Sequence, residues 1–347
     1  MNQRKKIYNS LIALGYINID IISEVSKETL IKYNYNFEKK YFTKKDNNFI
    51  LELEKNPQVK IVPGGSIQNT IRILKWVLNM NEKTKNNKIS LLGLIGDDEK
   101  KNIIYNELNE LKVNQIFEIN KNSTCSKCGV GIYKNERYLL GASNGVISDT
   151  FVNNHLSEIL NHNILLLEGF MIGRKFNLFK KLCLDFINNN NLIVFTLSAN
   201  FIIDNYYNYV IEIGNYSDII FSNNFEIESL AKENNKSLKE NIEIVHRKLK
   251  EKNRLIITIC GENPVIISKY NYRKNKMEFI LYSYPNQIKT ENIVDTNGAG
   301  DAFLAGFLSN YMKGENIEKC CDIGNLISEI ILKNIGCTFD KNKIINF

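Results

Sequence analysis

The amino-acid sequence predicts an α/β fold: a doubly wound, mostly parallel sheet with helices on both faces, plus a small β lid. The chain has 347 residues, of which 44% are hydrophobic, so it can bury a sizeable core. From residue 164 onwards, short apolar runs alternate with helical patterns, as in sheets built from βαβ units. Earlier in the chain, two strand-rich segments interrupt this alternation and predict a separate small sheet.

These two segments define the predicted domain boundaries. Residues 17–65 and 117–142 are expected to form the small β lid. Residues 1–16, 66–116 and 143–347 are expected to form the large α/β domain.

The first predicted core strand covers residues 7–14, an apolar run that ends at Gly15. In the following segment, apolar residues alternate with others up to Asp20. We expect Asp20 at the carboxyl edge of a core strand, where open α/β sheets bind their ligands. The alternative is an aspartate that only forms a turn.

A helix is predicted directly after a Pro-Gly-Gly-Ser turn at residues 63–66. Its apolar face is formed by Ile67, Ile71, Leu74 and Leu78. Asn69 lies near the start of this helix and off the apolar face, so it can face a ligand. Gly64 and Gly65 allow a ligand to approach the backbone. The alternative is an ordinary capped helix.

The remaining elements are predicted from the length and periodicity of their apolar runs. Strands are expected at residues 89–95, 115–120, 129–133, 137–140, 164–167, 192–197, 218–221, 255–259 and 290–294. Helices are expected at residues 175–188, 199–213, 226–233 and 238–251. The strands between residues 115 and 140 are expected to pair with the first strand-rich segment.

The most informative stretch is DTNGAGD at residues 295–301, which runs into a helix with an apolar stripe. Gly298 and Gly300 permit positive φ or a close backbone approach. The first N–H groups of a helix lack intrahelical partners and suit a phosphate. Asp301 lies among these donors, where a carboxylate can act as a base for a hydroxyl group in phosphoryl transfer. The alternative is a Gly-rich helix start with a first-turn aspartate.

Composition and missing motifs argue against several classes of protein. The net charge is +7, but no basic stripe with interleaved aromatic residues occurs, so no nucleic-acid partner is expected. No apolar run has membrane-spanning length and no signal peptide is recognisable, so no membrane partner is expected. Neither a P-loop motif nor a dinucleotide-binding glycine fingerprint after the first strand is present.

The seven cysteines are expected to be reduced thiols of a cytoplasmic protein. Cys125 and Cys128 form a single CxxC without a second pair or a nearby histidine, so no zinc site is expected. His155, His162 and His246 are dispersed and form neither a metal cluster nor a catalytic triad.

Several motifs together resemble the ribokinase-like (PfkB) family of carbohydrate and nucleoside kinases over nearly the whole chain. The main two are GGSIQN at residues 64–69 and DTNGAGD. FTLSANF (195–201), FSNNFEIE (221–228) and IGCTF (335–339) are similar to sequences of the adenosine kinases within that family. The resemblance implies a ribokinase-like fold and a monomer. It also implies phosphate transfer from ATP, with Mg²⁺, to the 5′-hydroxyl of adenosine, giving AMP in purine salvage.

The resemblance further implies roles for individual residues in catalysis and nucleoside binding. The expected catalytic residues are Asp301 as general base, Arg137 on the lid, and Asn297, Gly298, Ala299 and Gly300 as the anion hole. The expected nucleoside-binding residues are Asp20, Gly64, Gly65, Ser66 and Asn69 for the ribose, with Phe170 and Phe201 beside the purine. For the two phenylalanines the alternative is core packing.

The resemblance also implies a site for ATP and Mg²⁺. The residues expected at ATP are Asn223, Thr258, Gly261, Gly298 and Gly300. Asn223 and Glu226 would organise Mg²⁺, mainly through water. The alternative for this pair is a helix capping box.

Two departures from the family pattern put the base specificity in doubt. Tyr16 replaces an asparagine that usually follows the glycine, and Lys40 stands where the lid often carries a glutamine. Lysine only donates and cannot replace a carboxamide. The alternatives are therefore a kinase of the same family for another nucleoside or a sugar, or a catalytically weak nucleoside-binding protein of the same fold.

Overall fold

A computed structural model of the protein describes residues 6–37, 41–42, 47–134, 136–233, 235–249, 252–271, 274–284, 288–343 and 345. The described strands are β1 (Ser10–Leu14), β2 (Asn18–Glu24), β3 (Tyr35–Asn36), β4 (Tyr41–Phe42), β5 (Lys60–Gly64), β6 (Lys88–Gly96), β7 (Asn114–Asn120), β8 (Ser126–Tyr133), β9 (Glu136–Ala142), β10 (Ile164–Glu168), β11 (Leu192–Thr196), β12 (Ile219–Asn223), β13 (Leu255–Cys260), β14 (Asn263–Asn271) and β15 (Lys276–Tyr282). The described α-helices are α1 (Lys27–Lys32), α2 (Asn48–Glu54), α3 (Ser66–Asn79), α4 (Lys101–Leu111), α5 (Asp149–Asn154), α6 (Leu156–Leu160), α7 (Ile172–Asn188), α8 (Asn200–Tyr216), α9 (Asn224–Ala231), α10 (Leu238–Lys248), α11 (Ala299–Met312) and α12 (Ile317–Leu332).

Within the described residues, the large sheet has nine strands in the order β15-β14-β13-β12-β11-β10-β1-β6-β7. The strands from β13 to β7 in this order pair in parallel, and β14 and β15 continue the sheet antiparallel at one edge. Side chains alternate between the two faces of a strand. Leu11 and Ala13 of β1 therefore join the core on one face, and Ile12 and Leu14 join the core on the other.

Helices cover both faces of the large sheet. The helices α3, α4, α11 and α12 bury their apolar residues in the core on one face. The helices α5 to α10 bury theirs in the core on the other face. The predicted doubly wound α/β fold is confirmed.

A smaller sheet is formed by β5, β2, β8 and β9 in that order, with β2 and β8 paired in parallel. The helix α2 packs on one face, where a Cβ atom at Gly129 would lie 2.9 Å from Cγ1 of Ile50. Ile19 and Ile21 belong to the same core as α2. Asp20, between them, points to the opposite face.

Two predicted strands differ from the structure. The segment around residue 117 was expected in the small sheet, but β7 follows β6 and α4 as a βαβ unit and extends the large sheet. The predicted strand at 290–294 begins instead as a 3₁₀ turn (Thr290–Asn292). Beyond this turn, the N–H of Val294 donates to the carbonyl of Leu332. Sequence periodicity also did not predict the short helices α1, α2, α5 and α6, the helices α4 and α12, or the antiparallel pair β14–β15.

All seven cysteines are free thiols. In the part of the chain that the structure describes, no helix has both the length and the apolarity needed to cross a bilayer. The division of the chain into a large domain and a lid stays a prediction.

Candidate active site

Two glycine-initiated helices, α3 and α11, begin side by side. Gly65 precedes α3 with φ of 93°, and Gly298 precedes α11 with φ of 79°. Residues with a side chain rarely adopt such φ values, so glycine is required at both positions. Both predicted helix starts are confirmed.

Asp301 lies in the first turn of α11, and the first turn of α3 holds its carboxylate. Ser66 Oγ donates to Oδ1 at 2.7 Å, and Asn69 Nδ2 donates to Oδ2 at 3.1 Å. Burial raises the pKa of Asp301, and the hydrogen bonds from Ser66 and Asn69 oppose this rise. A carboxylate whose pKa is raised towards neutral pH, and whose donors are uncharged, can accept a proton from a hydroxyl group.

The turn before α11 is fixed by Asp295, which is 4% exposed. Its Oδ1 accepts the N–H of Asn297 at 2.8 Å, and its Oδ2 accepts the N–H of Gly336 at 2.6 Å. A Cβ atom at Gly298 would lie 2.7 Å from Sγ of Cys337, whereas a Cβ atom at Gly300 would meet nothing within 4 Å. The N–H of Ala299 donates to the carbonyl of Thr296 at 3.3 Å, so the N–H groups of Asn297 and Ala299 are already engaged within the turn. The turn is packed at Gly298 and open at Gly300, and the N–H groups of these two glycines are the candidate donors to a ligand.

Arg137 of β9 reaches this turn from the small sheet. Its Nε donates to Oδ1 of Asp295 at 2.7 Å, and the two side chains are 11% and 1% exposed. Nη1 of Arg137 is buried and has no hydrogen-bond partner among the described residues. A buried guanidinium group with a free donor is suited to bind an anion oxygen.

Asp20 lies in the middle of β2 in the small sheet, which corrects the prediction that it ends a core strand. It is 4% exposed, and a Cβ atom at Gly64 would lie 2.0 Å from its Oδ1. Burial raises the pKa of Asp20 to about 7; the Arg72 guanidinium opposes this rise, and the negative charges of Asp301 and Asp295 add to it. The three aspartates are thus close enough to interact.

Phe170 and Phe201 form an aromatic pair after β10 and at the start of α8. Their ring centroids lie 6.1 Å apart with an interplanar angle of 41°. Phe201 is 54% exposed, so it is available to a ligand. Tyr16 is half-buried, and burial raises the pKa of its hydroxyl, whereas the positive charge of Arg174 opposes this rise. Lys40 lies outside the described residues.

The residues expected at ATP lie along β12, β13 and α9. Asn223 and Glu226 form a capping box: Oδ1 of Asn223 accepts the N–H of Glu226, and Oε2 of Glu226 accepts the N–H of Asn223, both at 2.9 Å. Burial raises the pKa of Glu226 to about 7. Thr258 is fully buried and shares a 3.2 Å hydrogen bond with Ser222, so its side chain lies behind the surface. A Cβ atom at Gly261, where φ is 63°, would meet nothing within 4 Å.

The sequence did not reveal Glu168, the last residue of β10. Its carboxylate is 1% exposed and accepts the N–H groups of Tyr16 and Ile67. The available signal was a carboxylate that ends a buried apolar run, the same signal that singled out Asp20.

Metal-ligating side chains are sparse. Within the described residues, no group of three or more histidine, cysteine, aspartate or glutamate side chains is arranged to hold a metal ion. Any divalent cation would therefore need ligands from water and from a bound phosphate.

Comparison with known proteins gives a consistent picture. The profile of the pfkB family carbohydrate kinases matches residues 10–344. The chain is 25% identical to adenosine kinase 2 of Arabidopsis thaliana, with 97% of each chain covered. It is 26% identical to the adenosine kinase of Dictyostelium discoideum, with 82% of this chain and 83% of the relative covered.

Solved structures of similar shape cover almost the whole chain. The adenosine kinase of Anopheles gambiae in complex with P1,P4-di(adenosine-5) tetraphosphate has a TM-score of 0.80 at 25% identity, with 97% of this chain and 98% of that chain covered. The adenosine kinase of Schistosoma mansoni in complex with 2-fluoroadenosine has a TM-score of 0.81 at 23% identity and shares the fold, with 96% of this chain and 98% of that chain covered.

Proposed function

Because this chain belongs to the pfkB family of carbohydrate kinases, we propose that it transfers the γ-phosphate of ATP to the 5′-hydroxyl of adenosine, giving AMP and ADP. The observation that carries the proposal is Asp301, held by Ser66 and Asn69 beside the start of α11, where the backbone is open at Gly300. The similarity to curated adenosine kinases along 97% of the chain supports adenosine as the acceptor.

Asp301 acts as the general base. The reaction needs a group that takes the proton from the 5′-hydroxyl as the oxygen attacks phosphorus. The raised pKa of Asp301 makes its carboxylate a stronger base than an ordinary aspartate, which favours proton transfer. Its two neutral donors fix the orientation of the carboxylate without placing a competing positive charge on it.

The turn at residues 297–300 and Arg137 stabilise the transferring phosphoryl group. The N–H groups at the start of α11 point away from the helix and carry its positive dipole end. Gly300 leaves open space there for a phosphate. Asp295 holds Arg137 through Nε, which leaves the buried and unpartnered Nη1 to donate to a phosphate oxygen. Together they offset negative charge that develops during transfer.

Asp20 and Asn69 bind the ribose hydroxyl groups, and Phe170 and Phe201 flank the purine. The described residues show no hydrogen bond to the buried Asp20 carboxylate, so it can accept from a vicinal diol without losing a protein partner. Gly64 leaves room for it. The exposed ring of Phe201 offers an apolar face for stacking. An aromatic pair favours a nucleoside over a free sugar as the acceptor.

Mg²⁺ would accompany ATP and neutralise charge on its phosphates. The residues present fit this role because the capping box uses only one oxygen of Glu226, and Mg²⁺ commonly keeps several waters. Asn223 and Glu226 would hold such waters, and the exposed backbone at Gly261 would lie along ATP. Thr258 would support this region from behind.

The test is ADP release from ATP and Mg²⁺ with adenosine, inosine, guanosine, cytidine, ribose and fructose as acceptors, using Asp301→Ala as the blank. Turnover that is fastest with adenosine and absent from the blank supports the proposal. A preference for another acceptor keeps the reaction but refutes adenosine as the substrate. Absence of turnover, with adenosine still raising the melting temperature, indicates a nucleoside-binding protein without kinase activity.

A further inference from the structure

Glu168 is a buried carboxylate that the proposed reaction does not use. It lies at the carboxyl end of β10, beside β1 in the large sheet, and is 1% exposed. Burying a carboxylate is costly unless hydrogen bonds replace its water. Its two partners are therefore informative about why it lies there.

Both partners are backbone N–H groups that lack another acceptor from their own element. Oε1 accepts from Tyr16, just beyond β1, and Oε2 accepts from Ile67 at 3.2 Å. Ile67 is in the first turn of α3, whose N-terminal N–H groups have no intrahelical partners. Gly65, the residue before α3, has no side chain that could cap it. Glu168 thus supplies the missing helix cap from a distant part of the chain.

Gly15 makes this arrangement sterically possible. A Cβ atom at Gly15 would lie 2.5 Å from Oε1 of Glu168 and 2.5 Å from Cγ2 of Ile67. Any larger residue would push the carboxylate and the helix apart. The end of β1, the end of β10 and the start of α3 are therefore held together at one carboxylate.

The capped turn of α3 is also the turn that holds Asp301. Ser66 and Asn69, on either side of Ile67, donate to the two Asp301 oxygens. A shift of the turn would move both donors together. We infer that Glu168 is a positioning residue that fixes the first turn of α3 and thereby the orientation of the Asp301 carboxylate. The inference rests on the proposed function in one respect, the role of Asp301 as the base.

The protonation state of Glu168 should control how well it does this. Only the carboxylate offers good acceptors to both N–H groups, because the protonated acid presents an O–H to one of them. Among the groups in the elements packed against Glu168, Asp301 and the Tyr16 phenol interact with its charge. Burial, with a smaller contribution from the negative charge of Asp301, raises the pKa of Glu168 to about 8. Ionisation as the pH rises through this value completes the cap.

The experiment compares the rate of ADP release at saturating adenosine and MgATP for the wild type and Glu168→Gln, from about pH 6 to about 9.5. Glutamine imitates the protonated acid, with one acceptor and an amino group in place of the second. We expect similar rates below the pKa of Glu168 and a wild-type rate about tenfold higher above it, since misplacing reacting groups by about 1 Å can cost about a hundredfold and a smaller shift costs less. Taking the ratio of rates at each pH cancels ionisation of the substrates.

Two further variants keep the test decisive. Glu118→Gln is the matched control, because Glu118 accepts from N–H and Oγ of Ser148 before α5, at 2.5 and 2.7 Å. The ratio of the wild-type rate to the Glu118→Gln rate should not change with pH. If Glu168→Gln does not fold, Glu168→Asp replaces it: a shorter carboxylate reaches at most one of the two amides, so a lower rate than the wild type at alkaline pH is expected.

The outcomes separate the two hypotheses. If the wild type turns over but the ratio of its rate to that of Glu168→Gln does not change with pH, this inference is overturned and the proposed function stands. A Glu168→Asp variant that is as fast as the wild type at alkaline pH also overturns this inference. Absence of wild-type turnover with every acceptor overturns the proposed function, and the inference falls with it.

Discussion

Replacing Asp301 with asparagine separates the chemistry of the base from the shape of the site. Asparagine has nearly the same volume, so the first turns of α3 and α11 can stay in place. Its single amide oxygen can accept from Ser66, but its amino group would then face Nδ2 of Asn69. One of the two hydrogen bonds to the former carboxylate is lost, and each such bond to a charged group contributes about 1.5–3 kcal/mol.

The expected loss of activity is much larger than a single hydrogen bond would produce through misplacement alone. A carboxamide cannot take the proton from the 5′-hydroxyl. General-base catalysis contributes about 10²–10⁴-fold, so we expect kcat to fall by about that factor. Adenosine should still bind, because its proposed ribose and purine contacts involve other residues.

The effect of this variant on stability should depend on pH. Burial raises the pKa of Asp301, so its ionised form is less favourable in the folded state than in the unfolded chain. This penalty develops as the pH rises above the ordinary aspartate pKa of about 4. The neutral asparagine removes it. Relative to the wild type, we expect the melting temperature of Asp301→Asn to be higher near pH 7.5 than near pH 4, where only the cost of the lost hydrogen bond remains.

The assay combines ADP release, adenosine binding by calorimetry and melting curves at both pH values. The matched control is Asp149→Asn, which also changes a first-turn aspartate, in α5, where Asp149 is 59% exposed and pairs with Lys175 at 2.5 Å. The control should keep its kcat and show no gain in stability. An Asp301→Asn variant whose kcat stays within tenfold of the wild type would refute the role of Asp301 as the base.

Three further variants address the rest of the site. Arg137→Ala leaves the Asp295 carboxylate buried without its cation, which costs about 3–5 kcal/mol of unfolding free energy. The variant should also have a lower kcat. An unchanged denaturant midpoint would contradict the buried ion pair. Asp20→Asn removes a carboxylate whose pKa is raised to about 7, so the variant should gain stability relative to the wild type as the pH rises from about 4 to 7. It should also lose affinity for adenosine. Melting curves across that pH range give the sign of the stability change. Phe201→Ala changes a ring that is 54% exposed, so the melting temperature should hold while KM for adenosine rises about tenfold, and a large drop in melting temperature would assign the ring to the core instead.

The sequence located much of the fold because local periodicity records which face of an element is buried. The runs that became β1, β6 and β10 to β13 are buried on both faces in parallel strands, so their central residues are mostly apolar instead of alternating with polar ones. The stripe in α3 and the glycines before α11 were equally visible. Short and amphipathic elements such as α2 and the edge strands β14 and β15 gave weaker patterns, and β7 was assigned to the wrong sheet.

Within the site, the sequence by itself determined the residues whose chemistry is written in one short stretch. DTNGAGD combines a carboxylate, a helix start and glycines that permit positive φ, and these properties depend on neighbours a few residues away. The tertiary structure alone decided which distant groups meet that stretch. Ser66 and Asn69 reach Asp301 from more than two hundred residues earlier in the chain.

The same distinction explains Asp20 and Glu168. Each is a carboxylate near an apolar run, and the sequence cannot say whether such a residue forms a turn, ends a strand or lies buried within one. Asp20 points from the middle of β2 towards Gly64, and Glu168 caps α3 through the N–H of Ile67, 101 residues before it. Local sequence determines whether an element can form and which face it buries, whereas the pKa and the role of a buried carboxylate depend on the donors and charges that packing brings to it.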